Sequence, residues 1–283
     1  MDIVVREELV AFMESQGEEG AAWLGALPGR VEELCSSWSI EIGDVLVDVD
    51  GISWIATVGD DAILKVSWPH REAAYEAAGL RSFDGRGAVR LLECSEDGIA
   101  LLIERCVPGD DLWTLGVDEG NAVAADVLRR LWRPAGADQG FELLSDVVAE
   151  WIEQWPSGDY PRDLIASVSE LARSLSETQD ELVVVHGDFH PGNVLRAQRD
   201  DWLAIDCKPM AGDPAYDLAQ YLANRARAAR ELDDPVGELG RQVDRFAETL
   251  ALDPQRIIGW AVVKSIGWNW GPDTTRLFLD VMR

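Results

Sequence analysis

The sequence predicts an α+β fold of two lobes, with an N-terminal antiparallel sheet that carries one main helix and a C-terminal lobe that is mostly helical. Short apolar runs separated by turns recur between residues 45 and 105, which is typical of strands joined by hairpins. Later in the chain the apolar residues recur at helical spacing instead. The helical segments predicted in this way are residues 216–230, 238–251 and 254–270.

Composition and length favour a globular protein of this kind. The chain has 283 residues, of which 47% are hydrophobic and 27% are charged, so it can bury one large core or two lobes. An apolar strand pattern over residues 99–105 breaks at Pro108-Gly109, which suits a hinge between lobes. We therefore expect an N-terminal lobe of residues 1–106 and a C-terminal lobe of residues 107–283.

The sequence also predicts a cytoplasmic protein. No apolar run approaches the roughly 20 residues that a membrane-spanning helix needs, so no membrane partner is expected. The first 20 residues carry five Glu, one Asp and one Arg, which is the reverse of a secretory or mitochondrial leader. The four cysteines are scattered without a close pair, so neither a zinc site nor a disulfide framework is predicted.

The net charge of −27 is extreme for a chain of this size. Such a surface repels nucleic acid, so no nucleic-acid partner is expected, and it attracts cationic ligands. It favours a small cationic molecule as the partner, although a solvated surface that resists aggregation explains the charge equally well. Trp260, Trp268 and Trp270 cluster in sequence near Asp273 and suit either an aromatic pocket for a cation or core packing.

The segment from residue 182 to residue 206 contains the most informative spacing. An apolar run over 182–185 ends at His186-Gly187, and Asp188 follows on an irregular loop. Residues 194–205 predict a hairpin that brings Asn193 and Asp206 side by side. Phosphoryl transfer from ATP uses a carboxylate to orient the attacking hydroxyl and oxygen ligands for Mg²⁺. The alternative is a polar turn followed by an Asp cap.

Lysine is rare in this chain, which contains only Lys65, Lys208 and Lys264. Lys65 interrupts an apolar strand pattern upstream of the Asp188 loop, where an ammonium can hold the ATP phosphates; the alternative is a solvent-facing edge residue. The helix predicted over residues 69–80 offers Glu72 and Glu76 on one face, and we favour Glu76 as the partner of Lys65.

A phosphate-covering loop is expected between the two strands predicted within residues 45–58. A turn at Asp50-Gly51 separates these strands, and backbone amides near Gly51 together with the Ser53 hydroxyl could contact phosphate. The segment is not glycine-rich and contains acidic residues, so a plain hairpin is an equally good interpretation.

These motifs together resemble the aminoglycoside/hydroxyurea resistance kinases over nearly the whole chain. The stretches that carry the resemblance are residues 62–66, 84–92, 102–109, 186–193, 202–206 and 268–269. The resemblance implies a protein-kinase-like fold with ATP and Mg²⁺ as cofactors. It also implies that Asp188 is the catalytic base, that Asn193 and Asp206 are the metal ligands, and that Lys65 anchors phosphate.

The same resemblance implies that adenine binds the hinge backbone near Glu104 and Cys106. It also implies that Asp217 braces the loop at residues 186–193, the catalytic loop of such kinases. Only ten residues separate Asp206 from Asp217, which is too short for a segment that seats a peptide and favours a small acceptor. We therefore expect a kinase for an aminoglycoside-like hydroxyl. Rival hypotheses are a kinase of the same fold for hydroxyurea or another metabolite, and a nucleotide-binding relic without activity. The sequence leaves the oligomeric state unknown.

Overall fold

The computed structural model of the chain describes residues 3–47, 52–136, 140–155, 160–179 and 181–283. The turn predicted at Asp50-Gly51 lies outside these residues. The α+β architecture predicted from the sequence is confirmed, with an antiparallel sheet in the N-terminal part and a helical C-terminal part.

The N-terminal sheet has five antiparallel strands in the order β1-β2-β3-β5-β4. The strands are β1 (Ile42–Val45), β2 (Ser53–Val58), β3 (Ala62–Ser67), β4 (Leu91–Cys94) and β5 (Ala100–Glu104). Side chains of β5 alternate between the two faces, because Ala100 and Leu102 enter one core cluster while Leu101 and Ile103 enter another. Both faces of the sheet are therefore covered, which explains why β5 is an unbroken apolar run.

Two helices precede the sheet and were not predicted. They are α1 (Glu7–Ser15) and α2 (Gly17–Trp38), and their apolar residues pack with Leu64 and Leu102 on one face. The helix predicted over residues 69–80 is observed as α3 (Ala73–Phe83). It begins later than predicted because residues 68–72 form a loop and a turn instead of helix. It packs on the opposite face in the core shared with the C-terminal part.

The C-terminal part is mostly helical and contains two small sheets. Its helices are α4 (Val117–Leu131), α5 (Leu144–Gln154), α6 (Arg162–Glu177), α7 (Ala215–Ala229), α8 (Pro235–Leu250), α9 (Pro254–Gly267) and α10 (Pro272–Met282), and its strands are β6 (Val183–Val185), β7 (Val194–Arg196), β8 (Trp202–Ala204) and β9 (Met210–Gly212). The predicted hairpin is present as β7 and β8. In it Val194 pairs with Ala204, and Arg196 pairs with Trp202.

Helix α9 is apolar nearly all round and lies buried among α6, α7 and α10. Within the described residues, no helix combines the length and apolar character needed to cross a membrane.

Backbone contacts join the sheet to the hairpin. The Val89 amide donates to the Ala204 carbonyl at 3.0 Å, and the Ala204 amide donates to the Gly87 carbonyl at 2.8 Å. Strand β6 pairs with β9, so the segment that follows β6 lies next to the segment between β8 and β9. The fold therefore brings the 186–193 loop, Asp206 and the Lys65 strand toward one place.

Candidate active site

The loop after β6 is held in place by the side chain of Asp217 from the first turn of α7. The fully buried Asp217 carboxylate accepts hydrogen bonds from the amides of His186 (2.9 Å) and Gly187 (2.8 Å). The His186 ring nitrogen Nε2 lies 2.9 Å from the Ile205 carbonyl and so ties the loop to the hairpin. At Gly187 the backbone has φ +83°, and a Cβ there would meet the Lys208 carbonyl at 2.0 Å. Only glycine fits that position.

Lys264 supports the same loop from α9 and was not assigned a role in the sequence analysis. Its fully buried ammonium donates to the Gly187 carbonyl at 2.8 Å and lies over the rings of Tyr216 and Trp268, at 4.5 and 5.1 Å from their centroids. Burial lowers the pKa of Lys264 to about 8, against the opposing field of Asp188. The only sequence signal for this residue was the scarcity of lysine.

Asp188 presents its two carboxylate oxygens differently. Oδ2 accepts a hydrogen bond from Lys208 Nζ at 2.8 Å. Oδ1 is buried and has no hydrogen-bond partner among the described residues. Burial raises the pKa of Asp188, but the positive charges of Lys208 and Lys264 outweigh it and hold the pKa below the ordinary value. The lowered pKa favours the ionised carboxylate, and Oδ1 is a buried acceptor that no described residue satisfies.

Asn193 and Asp206 lie beside each other, because the Ile205 amide donates to the Asn193 carbonyl at 2.9 Å. Asn193 Nδ2 donates to the Asp188 carbonyl at 3.1 Å, so the amide oxygen Oδ1 is the atom left for a ligand. Asp206 has φ +57°, a left-handed conformation that Asp adopts more easily than most residues. Its Oδ1 accepts from Lys65 Nζ at 2.5 Å. The charge of Lys65 holds the pKa of Asp206 well below its ordinary value.

This pair of oxygen donors suits a magnesium ion. Mg²⁺ takes one or two carboxylates from protein and completes its shell with water and phosphate oxygens. The carboxylate of Asp206 and the amide oxygen of Asn193 therefore fit Mg²⁺.

Lys65 lies between the sheet and the loop rather than at a solvent-facing edge. Its ammonium contacts both oxygens of Glu76 on α3, at 2.9 and 2.8 Å, and Glu76 is buried. Burial lowers the pKa of Lys65, but Asp206 and Glu76 raise it well above the ordinary value. The Ser53 hydroxyl lies 3.0 Å from that of Ser67 on the neighbouring strand.

Two adjoining cavities meet at the site. The first is lined by residues of the sheet, α3 and the loop after β8, among them Ser53, Lys65, Glu76, Asp206 and Lys208. The second lies on the other side of Lys208 and is lined by charged residues of both signs and by aromatic residues, among them Arg71, Glu72, Glu142, Tyr216 and Trp268. Glu72 and Lys208 line both cavities. The first cavity is thus lined by the residues predicted to bind phosphate and by Asp206, one of the two predicted metal ligands.

Comparison with known proteins identifies the family. The sequence model of the aminoglycoside/hydroxyurea antibiotic resistance kinases matches residues 44–269. The chain belongs to this family. It is 33% identical to a streptomycin 6-kinase of Streptomyces glaucescens, over 91% of this chain and 87% of the relative. It is 34% identical to a hydroxyurea phosphotransferase of Kitasatospora aureofaciens, over 89% of this chain and 76% of the relative.

A solved structure supports the fold. The aminoglycoside phosphotransferase APH(3'')-Id of Streptomyces rimosus, solved in complex with ADP and streptomycin, aligns with a TM-score of 0.57 and 17% identity. The alignment covers 86% of this chain and 99% of that one. Members of the aminoglycoside/hydroxyurea antibiotic resistance kinase family are phosphotransferases, and the chain is therefore an enzyme of that class.

In this kinase, Glu104 and Cys106, the two residues near which adenine was predicted to bind, differ in their backbone hydrogen bonds. The Glu104 amide donates to the Arg90 carbonyl at 2.9 Å, and its carboxylate accepts from Arg199 Nε at 2.8 Å. The Cys106 amide has no hydrogen-bond partner within the described part of the chain. Burial raises the pKa of the Cys106 thiol to about 12. The pairing of Glu104 with Arg199 on the β7–β8 turn was not predicted from the sequence.

The aromatic cluster predicted near the C-terminus divides between packing and the kinase site. Trp260 is fully buried and donates to Asp213 at 2.8 Å, so it belongs to the core. Trp270 also packs against the core. Trp268 lines the second cavity, where the ammonium of Lys208 lies 5.5 Å from its ring centroid. Only Trp268 of the three reaches the cavities of the site.

Proposed function

We propose that this chain transfers the γ-phosphoryl group of ATP to a hydroxyl of an aminoglycoside-like acceptor of the streptomycin type. One observation carries the proposal: Lys65 and Asp206, 2.5 Å apart, line the first cavity together with Lys208, and Lys208 in turn contacts Asp188 at 2.8 Å. Such a set supplies the phosphate anchor, the metal ligand and the acceptor-orienting carboxylate that phosphoryl transfer needs. The family and its streptomycin 6-kinase relative support the choice of acceptor.

In this proposal each residue has one task. Lys65, held by Glu76, anchors the ATP phosphates, and the Ser53 hydroxyl contacts them from the sheet. Asn193 and Asp206 hold Mg²⁺, which neutralises phosphate charge when bound. Asp188 orients the acceptor hydroxyl through Oδ1, the oxygen that has no partner within the described residues. Positioning and charge neutralisation supply most of the catalysis in this chemistry.

The two parts of the chain then have separate roles. Residues 1–106 bind the nucleotide, and the backbone of Cys106, next to Glu104, contacts adenine. Residues 107–283 supply the catalytic loop and the acceptor site. In the second cavity Glu142 is paired with Arg71 at 2.5 Å, and Glu72 and Trp268 offer a carboxylate and an aromatic face to a cationic acceptor. A cytoplasmic location, where ATP and Mg²⁺ are plentiful, and the absence of a nucleic-acid or membrane partner go with this activity.

Hydroxyurea is the second candidate acceptor, because a hydroxyurea phosphotransferase is as similar to this chain as the streptomycin 6-kinase is. The two candidates differ in charge. A cationic acceptor gains from the net charge of −27, and its KM rises with salt as that attraction is screened. Neutral hydroxyurea gains nothing, and its KM stays constant with salt.

A coupled assay of ADP release tests the proposal. The wild-type chain with ATP and Mg²⁺ is offered streptomycin, hydroxyurea and other small hydroxyl compounds one at a time. We expect turnover with streptomycin and an increase in its KM between 50 and 500 mM salt. Turnover with hydroxyurea alone would replace the acceptor, and no turnover with any compound would favour the non-catalytic relic.

The Asp188→Asn variant tests the catalytic assignment in the same assay. Turnover should fall by about 10²- to 10⁴-fold, because the variant loses the oxygen base that accepts the hydroxyl proton. The Kd for ATP, measured by calorimetry, should stay within a few-fold of the wild-type value. Turnover near the wild-type rate would remove Asp188 from its role.

A further inference from the structure

Lys208 lies at the boundary between the two cavities of the site. It lines the first cavity together with Lys65 and Asp206, and the second together with Gly187 and Trp268. Lys208 therefore lies between the cavity proposed for the nucleotide phosphates and the cavity proposed for the acceptor. The position matters because charge that develops between donor and acceptor is best stabilised by a cation already fixed there.

The backbone of Lys208 is attached to the catalytic loop. The Lys208 amide donates to the His186 carbonyl at 2.7 Å. The Lys208 carbonyl packs against Gly187, so closely that a Cβ at residue 187 would clash with it. The chain then enters β9 at Met210, and β9 pairs with β6. The start of the Lys208 side chain is therefore fixed relative to Asp188, although the two residues are 20 positions apart.

Among the described residues, the ammonium of Lys208 makes one short contact with a carboxylate oxygen. Nζ lies 2.8 Å from Asp188 Oδ2 but 3.7 Å from the partly exposed Glu72 carboxylate. An ammonium has three N–H groups, so the contact with Oδ2 leaves donors for a phosphoryl oxygen.

We propose that Lys208 is a catalytic residue that binds the γ-phosphoryl group during transfer while it holds Asp188 Oδ2. This role rests on the proposed function. The acceptor oxygen bonds to the γ-phosphorus as the bond from phosphorus to the β,γ-bridging oxygen breaks. ADP leaves with the electron pair of that bond, and the hydroxyl proton passes to Asp188 Oδ1. Lys208 stabilises the phosphoryl oxygens and directs the proton to the oxygen that it does not hold.

The test compares Lys208→Met and Lys208→Arg with the wild-type chain. In the ADP-release assay, Lys208→Met should lower kcat by about 10²- to 10³-fold, the size expected for loss of one donor to a transition state. The KM values for ATP and acceptor should change by less than about threefold, because the contact strengthens only during transfer. Lys208→Arg should recover part of kcat, since it restores the charge with a wider head group.

A binding measurement separates this role from a merely structural ion pair. Calorimetry measures the affinity for Mg·ADP with and without aluminium fluoride, which resembles the phosphoryl group in transfer. Lys208→Met should lose the extra affinity that aluminium fluoride gives to the wild-type chain and keep the affinity for Mg·ADP. The control is Arg130→Met, which removes a paired cation of α4 (Arg130 Nε to Asp126 at 3.0 Å) and should leave both values unchanged.

Three outcomes decide between the proposals. A kcat of Lys208→Met within threefold of wild type, with aluminium fluoride affinity retained, overturns the role of Lys208 and leaves the proposed function standing. If Lys208→Met instead loses affinity for Mg·ADP and also melts at a lower temperature, the contact is structural. This outcome also overturns the proposed role. If the wild-type chain turns over no acceptor, the proposed function fails, and Lys208 is then judged by aluminium fluoride affinity alone.

Discussion

Lys65 and Lys264 are both buried beside the 186–193 loop, yet the pKa of Lys65 is raised and that of Lys264 is lowered. Lys65 contacts Glu76 and Asp206 within 3 Å, and its pKa is raised. Lys264 contacts a carbonyl and two aromatic faces, and burial lowers its pKa to about 8. The partner, and not the depth of burial, decides whether a buried ammonium keeps its proton.

The comparison also separates two tasks. Lys65 belongs to a network of three charged side chains that joins the sheet, α3 and the loop after β8. Lys264 holds a single peptide carbonyl of the catalytic loop, opposite the two amides held by Asp217. We therefore expect loss of Lys65 to disturb charge balance and loss of Lys264 to disturb mainly the geometry of Asp188.

The largest effect is expected for Lys65→Met. The variant leaves the buried Glu76 without its cation, which typically costs about 3–5 kcal/mol of unfolding free energy. Urea unfolding at pH 7 measures the loss. The control is the double variant Lys65→Met/Glu76→Leu, which removes both buried charges and should recover most of the stability. A single variant as stable as wild type would contradict the importance of this pair.

A smaller effect is expected for Lys264→Met, which keeps the volume of the side chain and loses one hydrogen bond. The unfolding free energy should fall by about 1–3 kcal/mol, because the Gly187 carbonyl is left unsatisfied. With Asp188 less firmly held, kcat should fall by about 10- to 100-fold while the KM for ATP is unchanged. Steady-state kinetics and urea unfolding measure the two quantities. A wild-type kcat would show that Asp217 alone positions the loop.

The pH dependence of stability should distinguish Lys264 from Lys65. The pKa of Lys264 is about 8 in the folded chain and ordinary in the unfolded chain, so between about pH 8 and 10.5 the unfolded chain binds the extra proton. The wild-type unfolding free energy should then rise relative to Lys264→Met, by up to about 1.4 kcal/mol per pH unit. Lys65, whose pKa is raised, contributes no such rise. A constant difference across this range would contradict the lowered pKa.

The smallest effect is expected for Glu72→Gln. Glu72 lies 3.7 Å from Lys208 and is nearly half exposed, and such pairs contribute about 0–1 kcal/mol. Thermal unfolding should therefore detect almost no change in stability. The KM for a cationic acceptor should increase only a few-fold. A loss of stability as large as that of Lys65→Met would show that distance and exposure do not rank these contacts.

Much of the site was predictable because its residues follow from local patterns. The strand, the loop at residues 186–193 and the hairpin could be recognised from apolar runs and turn residues, and pairing in the hairpin brings Asn193 next to Asp206. Glu76 was favoured over Glu72 as the partner of Lys65, and the structure has Glu76 buried against that lysine. The helix limits were less accurate, since α3 begins four residues after the predicted start.

Other parts of the molecule gave no usable local signal. The contact between Lys208 and Asp188 depends on the pairing of β6 with β9, and that between Lys264 and Gly187 joins residues 77 positions apart. The cover of the sheet by α1 and α2, and the ion pair between Glu104 and Arg199, likewise depend on how distant elements pack. Such contacts are decided by the whole fold.

Local patterns in the sequence established the residue types and spacings of this site: an acid, an amide and a second acid at set distances along the chain, with a lysine upstream. These features are local, because turns and hairpin pairing follow from neighbouring residues. The packed fold established which ammonium contacts which carboxylate, why Gly187 admits no side chain, and which oxygen of Asp188 has no partner among the described residues. Burial and charge pairing depend on elements that are far apart in the chain and meet only when the core is packed.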